Sequence, residues 1–306
     1  MKRSMTVALM ITAAVLSMLV TAGCSVSSEE VFSKYTNSES KFIDINGTRV
    51  HYRDEGRGPV LLCMHGIMSS LHTWDGWVDR LKDDYRIIRL DLPGWALSGP
   101  SSFEYSAEGY VEFLKRFLDE LDVQKVHIVG NSFGGFLAWN FTLAHPDRVN
   151  SMTLIDAAGY PFKPPLPVTL MTAPVISYFS TIITPRFIVA HNVKDVFGDT
   201  GKVTDEIIDR YYDLMMYGDN RKEIVTILKE VKKNIHIEPE GIDTIKHPTL
   251  IMWGGADDWI PLDVMERFRE DLPHADAVIY DGAGHIPMEE IPEQTAEDID
   301  RFLRGI

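Results

Sequence analysis

Apolar positions along this chain follow two alternating rhythms. Short, nearly continuous runs at Val60–Met64, Arg86–Leu90, Val126–Val129, Val149–Asp156, Thr249–Trp253 and Ala277–Tyr280 predict strands buried on both faces of a sheet. Between them, apolar residues recur at helical spacing. Trp74, Trp77, Val78 and Leu81 form one such face, and Tyr110, Phe113, Leu114, Phe117, Leu118 and Leu121 form another that Ser106 is placed to cap. Further helices are predicted over Phe136–Ala144, Leu262–Leu272 and Gln294–Leu303. Near the start, Lys41–Ile45 and Arg49–Arg53 alternate in polarity around Asn46-Gly47, a tight hairpin signal. This order predicts a mostly parallel, doubly wound α/β sheet opened by an antiparallel hairpin.

The alternation is interrupted once. Pro161-Phe162-Lys163-Pro164-Pro165-Leu166-Pro167 fits neither a helix interior nor a central strand. Beyond it the pattern is helical, as in Ile207, Ile208, Tyr211, Tyr212, Met215 and in Ile224, Ile227, Leu228, Val231. Residues 160–246 are therefore expected to form a helical cap on a core made of 41–159 and 247–306.

The N-terminal pattern differs again. Lys2 and Arg3 precede an uncharged apolar stretch, Val7–Val20, that ends in Thr21-Ala22-Gly23-Cys24-Ser25. A basic start, a short apolar centre and small residues describe a secretory signal over 1–23. Cysteine directly after Ala-Gly resembles a bacterial lipobox, which makes Cys24 the expected lipidated residue of a membrane-tethered protein in the cell envelope. Ser25 after it implies the outer membrane, facing the periplasm, in a Gram-negative cell. An uncleaved membrane anchor is the alternative. Residues 24–40 are polar and serine-rich and are expected to be a flexible linker.

Composition narrows the partners. With 306 residues, 45% hydrophobic and 25% charged, the chain has material for one sizeable core. Its net charge of −15 argues against nucleic acid, leaving a small neutral or apolar molecule as the expected ligand. The only cysteines are Cys24 and Cys63; a lipidated Cys24 leaves no disulfide, and Cys63 reads as a core thiol.

The candidate chemistry begins at Gly130-Asn131-Ser132-Phe133-Gly134-Gly135, between a predicted strand and a predicted helix. A serine on so sharp a turn needs small neighbours, and the helix behind it offers its positive end to a developing oxyanion. A serine nucleophile needs a histidine and a carboxylate. Of ten histidines, His285 follows Asp281-Gly282-Ala283-Gly284 after the last predicted strand. Asp257 and Asp258 follow the strand Thr249–Trp253, and Asp156 ends another. His65 is expected to brace its loop, and His145 to stand outside the chemistry. No cluster has metal-ligand spacing and no phosphate-binding glycine loop is present, so neither metal nor cofactor is expected.

These motifs together resemble a serine-nucleophile member of the α/β-hydrolase superfamily over about 41–306. The resemblance rests on His65-Gly66, Asp91-Leu92-Pro93-Gly94, Gly130–Gly134, Trp253-Gly254 with Asp257 and Ile260-Pro261, and Gly284-His285 with Glu290 and Pro292. It implies Ser132 as nucleophile, Asp257 as the triad acid, His285 as base, and the Phe133 and Ile67 backbone N–H groups as the oxyanion hole. It implies a carboxylesterase or lipase acting through an acyl-enzyme. The same fold also hosts C–C bond hydrolases, lactonases, aminopeptidases and perhydrolases, and a catalytically silent tethered binding protein is a further alternative. The family's second glycine after Pro93-Gly94 is replaced: Trp95-Ala96 stand there and are expected to reshape the pocket rim.

Overall fold

The structure, a computed structural model, describes residues 27–306. The signal over 1–23 and Cys24 lie outside the described residues.

Eight strands form one sheet: β1 (Ser40–Ile45), β2 (Thr48–Gly56), β3 (Val60–Met64), β4 (Arg86–Leu90), β5 (Val126–Asn131), β6 (Val149–Ile155), β7 (Thr249–Gly254) and β8 (Asp276–Tyr280). Their spatial order is β1-β2-β4-β3-β5-β6-β7-β8; β2 is antiparallel to both neighbours and the other pairs are parallel. The hairpin turns at Asn46 and Gly47, both at positive φ (53° and 86°), which is the geometry this dipeptide favours. Central strands are mostly apolar because helices cover both faces. Leu61, Leu62, Cys63 and Met64 of β3 are fully buried, as are Ile128 and Val129 of β5.

The covering helices follow the predicted rhythm: α2 (Asp75–Leu81), α3 (Ala107–Glu120), α4 (Phe133–Ala144), α10 (Leu262–Asp271), α11 (Pro287–Glu290) and α12 (Pro292–Leu303). Ser106 caps α3, its Oγ accepting from the Gly109 N–H at 3.1 Å. Between β6 and β7 come five helices: α5 (Leu166–Met171), α6 (Pro174–Ser180), α7 (Arg186–Val196), α8 (Asp205–Met216) and α9 (Asn220–Asn234).

One expectation needs correction. The segment read as a flexible linker carries a helix, α1 (Ser28–Tyr35). Ser27 and Glu30 form a capping box, the Glu30 N–H donating to Ser27 Oγ at 3.2 Å and the Ser27 N–H to Glu30 Oε2 at 2.9 Å. Val31 and Tyr35 then bury against the domain, and the Tyr35 hydroxyl donates to Asp213 of α8 at 2.8 Å. The serine-rich composition hid an S-x-x-E start signal followed by apolar residues four apart.

Candidate active site

All the loops that carry candidate chemistry leave the carboxyl ends of neighbouring parallel strands, so the fold gathers residues far apart in sequence. Ser132 stands between β5 and α4 at φ 55°, ψ −114°, a conformation a non-glycine residue adopts only when its surroundings impose it. Its N–H donates to Ile155 O of β6 at 2.9 Å, and its own carbonyl accepts from Phe136 and Ala158 N–H at 3.0 and 3.1 Å. The flanking glycines are required by close approach. A Cβ on Gly130 would lie 2.1 Å from Gly134 O, and one on Gly134 would lie 2.3 Å from Met64 O.

The imidazole and its acid come from the loops after β8 and β7. Nδ1 of His285 lies 2.8 Å from Asp257 Oδ2. The other oxygen, Oδ1, accepts from the Trp259 and Ile260 N–H groups at 2.7 and 3.0 Å. With Nδ1 donating to the carboxylate, Nε2 is left as the free acceptor. The Trp259 ring stacks on the imidazole, centroids 5.6 Å apart at 25°. Asp258, one residue on, is exposed and takes no part.

Ser132 and His285 line the same cleft, which encloses about 790 Å³ of empty space including its open mouth. No hydrogen bond joins Ser132 Oγ to the imidazole in this structure; such bonds commonly tighten only around substrate. Ile67 and Phe133 also line the cleft, and neither of their N–H groups has an acceptor among the described residues. A Cβ on Gly66 would touch Ser132 Cβ at 3.0 Å, so the Ile67 loop lies directly against the serine. His65 braces that loop: Nδ1 donates to Gly66 O at 2.7 Å and Nε2 accepts from the Leu92 N–H at 3.0 Å. Burial holds its pKa below the usual histidine value, which keeps the ring in that neutral, two-ended role.

Asp156 is the other acid of the site. It follows β6 at φ 44° and is fully buried. Its Oδ1 accepts from the Gly254 N–H at 2.8 Å, while Oδ2 has no donor. Burial, with the charge of Asp257 alongside, pushes its pKa well above the ordinary carboxylate range. One ligand atom each from Asp156, Asp257 and His285 falls within 4.8 Å of the others, a grouping that sequence spacing does not reveal. Asp257 is committed to three donors, however, and the surroundings of Asp156 favour its protonated form. The hydrogen bond within the group runs between Asp257 and His285, with Asp156 packed beside the pair.

An alpha/beta hydrolase fold model matches residues 59–180. A 2-hydroxy-6-oxononadienedioate/2-hydroxy-6-oxononatrienedioate hydrolase of Paraburkholderia phymatum is 30% identical over 278 residues, 86% of this chain and 95% of that one. The chain belongs to the alpha/beta hydrolase family. An uncharacterized hydrolase of Bacillus subtilis, YugF, is 29% identical over 83% of this chain and 93% of its own. Among solved structures, a membrane phospholipase A described as a bacterial virulence factor superposes with a TM-score of 0.76 at 25% identity. That match covers 100% of this chain and 99% of the other.

Within this hydrolase, several residues that hold the site together were not singled out by sequence. Asn131 Nδ2 donates to Ile155 O at 3.2 Å and to His285 O at 2.9 Å, tying the serine turn to the histidine loop. Buried Glu290 accepts from Gly284 N–H at 2.8 Å and from Gly198 and Asp199 N–H at 2.9 and 2.7 Å, so one carboxylate joins that loop to the chain after α7. The His285 N–H donates to Val196 O at 2.9 Å. Side chains that act on backbone groups leave no spacing signature, although Glu290 does stand within the Gly284-His285 motif.

Trp95 and Ala96 stand back from the main cleft. Both are buried and Trp95 packs edge-on to His65, while the two line a smaller neighbouring space with Ser69, Tyr211 and Met215. Ala96 turns at φ 47°, held by the Leu97 N–H on Asp91 (3.1 Å) and by Asn220 of α9 on its carbonyl (2.8 Å). The pocket wall opposite Ser132 comes from Tyr160, Phe162 and Val168 and from Val231 and Ile235 at the end of α9.

Proposed function

We propose that this hydrolase cleaves carboxylic esters of apolar acids through an acyl-enzyme on Ser132. The observation that carries the reading is the constrained Ser132 lining one apolar cleft with an imidazole already held by Asp257. Ser132 Oγ attacks the ester carbonyl as its proton passes to His285 Nε2, and the oxyanion takes the Phe133 and Ile67 N–H groups. The protonated imidazole, steadied by Asp257, gives the proton to the leaving alcohol. Water then enters, loses a proton to His285 and releases the acid.

The cleft suits an acyl chain. Ile67, Phe133, Phe136, Phe162, Val168 and Val231 line it, and its charged neighbour Glu230 is paired with Lys233 at 2.6 Å. A second space of about 520 Å³ adjoins on the other side of His285 and offers Ser69, Asn192 and Tyr211, a polar setting for the alcohol. C–C bond cleavage is the second reading, favoured by the similarity to the dienedioate hydrolase. Neither space is lined by lysine or arginine, and burying a dicarboxylate without a cation is costly.

A fluorophosphonate probe tests the first step: labelling of the folded chain, abolished in Ser132→Ala, is expected, and an unlabelled wild-type chain would point to a silent binding protein instead. A panel of p-nitrophenyl esters from acetate to dodecanoate is expected to peak beyond acetate. A 2-hydroxy-6-oxo-dienedioate turned over faster than the best ester would replace the ester reading. We propose further that the signal is removed and Cys24 lipidated, placing the enzyme on a cell-envelope membrane. Processing blocked by globomycin and lost in Cys24→Ser is expected, and a chain that is never shortened would leave the uncleaved anchor.

A further inference from the structure

No charged side chain stands between Lys163 and Arg186, in a chain that is one quarter charged. A buried segment would explain that, but this segment is not buried. Of the twelve large apolar side chains exposed among the described residues, nine fall between Leu166 and Ile188. Leu166, Val175, Tyr178 and Phe187 are each about two-thirds exposed (68%, 68%, 65% and 69%). Single exposed apolar residues are ordinary, but a concentration of them on adjoining helices marks a surface made to be covered. Arg186, at its edge, is already engaged by Asp205 (2.9 Å) and Asp209 (2.6 Å) of α8.

We propose that α5, α6 and the start of α7 form a lipid-docking face that lays the cap on a membrane surface. The position of the remaining chain favours this occupant, and the inference rests in that respect on the proposed membrane tether. Residues 1–26, which contain the uncharged run Val7–Val20, join the described chain at Ser27, the cap of α1. α1 is held to cap helix α8 through Lys34 and Tyr35 on Asp213, and α8 packs on α7. The chain that precedes Ser27 therefore reaches the fold at an element bonded to the cap. With a net charge of −15, the protein gains little from lipid headgroup charge, and a charge-free face matches that constraint. The face also backs directly on the cleft. α5 turns Val168 toward Ser132 while Leu166 and Leu170 look outward, so one short helix separates lipid from the acyl site.

The full chain in phosphatidylcholine vesicles provides the test, with an environment-sensitive fluorophore on Val175→Cys or Phe187→Cys. Glu120→Cys, at the exposed last residue of α3, serves as reference and the unsubstituted chain as labelling blank. Lipids carrying a doxyl quencher are expected to dim the labels at 175 and 187 by about threefold or more and to leave the label at 120 unchanged. Equal quenching at all three positions overturns the proposal. So does blue-shifted but unquenched emission at 175 and 187, which would mean that a second copy or residues 1–26 cover the face. p-Nitrophenyl butyrate hydrolysis in the same samples keeps the two readings apart. Quenching without hydrolysis removes the ester reading alone, and hydrolysis without quenching removes the docking face alone.

Discussion

Asp156 and Asp257 end neighbouring strands within one buried cluster, and their different donors give them different roles. Asp257 receives three hydrogen bonds, one from the imidazole; Asp156 receives one, and burial beside Asp257 favours its protonated form. An asparagine at 156 therefore reproduces the native state, whereas one at 257 offers the imidazole the wrong partner. Asp257→Asn is expected to lower kcat on p-nitrophenyl butyrate by about 10³–10⁴-fold. Asp156→Asn is expected to stay within about threefold, and the reverse pattern would move the acid to β6. Stability supplies an independent readout. An unfolded aspartate loses its proton near pH 4, while folded Asp156 keeps its own well above that. Between those two values unfolding releases a proton, so stability present at low pH is lost as pH rises through the folded value. Asp156→Asn removes that slope. Its Tm relative to wild type should therefore climb between about pH 4 and pH 7, and a flat or falling difference would mean that Asp156 is charged in the folded protein.

At the scale of elements, the sequence was most legible where one period ran long enough to be read. Apolar strand runs, the α3 face and the Asn46-Gly47 turn all stand where pattern placed them, and each of Ser132, Asp257 and His285 follows a strand of one parallel sheet, which pairs Asp257 with His285 and puts Ser132 and His285 on one cleft. Two elements escaped. α1 is a helix of eight residues whose start signal lay in a serine-rich stretch, and its stability comes from contacts with α8 that no local pattern contains. At Trp95-Ala96 the departure from the motif was visible, while the packing that sets both residues back from the main cleft was not. The same limit applies to the fastening of the cap. Glu290 satisfies three N–H groups from two separate segments, that of Gly284 fully buried, and an amide can accept on one oxygen only. Glu290→Gln should cost about 2–4 kcal/mol in urea unfolding and reduce kcat, because Gly284 adjoins His285. A variant as stable as wild type would show that those N–H groups find other partners.

Taken as a whole molecule, the cap divides into two halves with unequal ties. The half from α7 to α9 is bonded to the hydrolase core at many points: Val196 to His285, Gly198 and Asp199 to Glu290, Arg210 and Tyr211 to Glu289, and Asn220 to Ala96. α1 adds Lys34 and Tyr35 on Asp213. The half formed by α5 and α6 is instead tied by side chains to α9, through Lys232 on Thr172 (3.1 Å) and Arg221 on Ile182 O (2.7 Å), and much of its apolar surface faces outward. Regions with few buried contacts open at low free-energy cost. Amide hydrogen exchange should therefore be fastest, within the cap, over 166–183, by about tenfold or more relative to 205–231. This is also the half that supplies Phe162, Pro165 and Val168 to the cleft. Local opening there would admit substrate without disturbing the Val196–His285 bond that positions the imidazole. Uniform protection across the cap would require the whole insertion to move as one body, and each opening would then break the Glu290 bonds and unsettle His285 along with the lid.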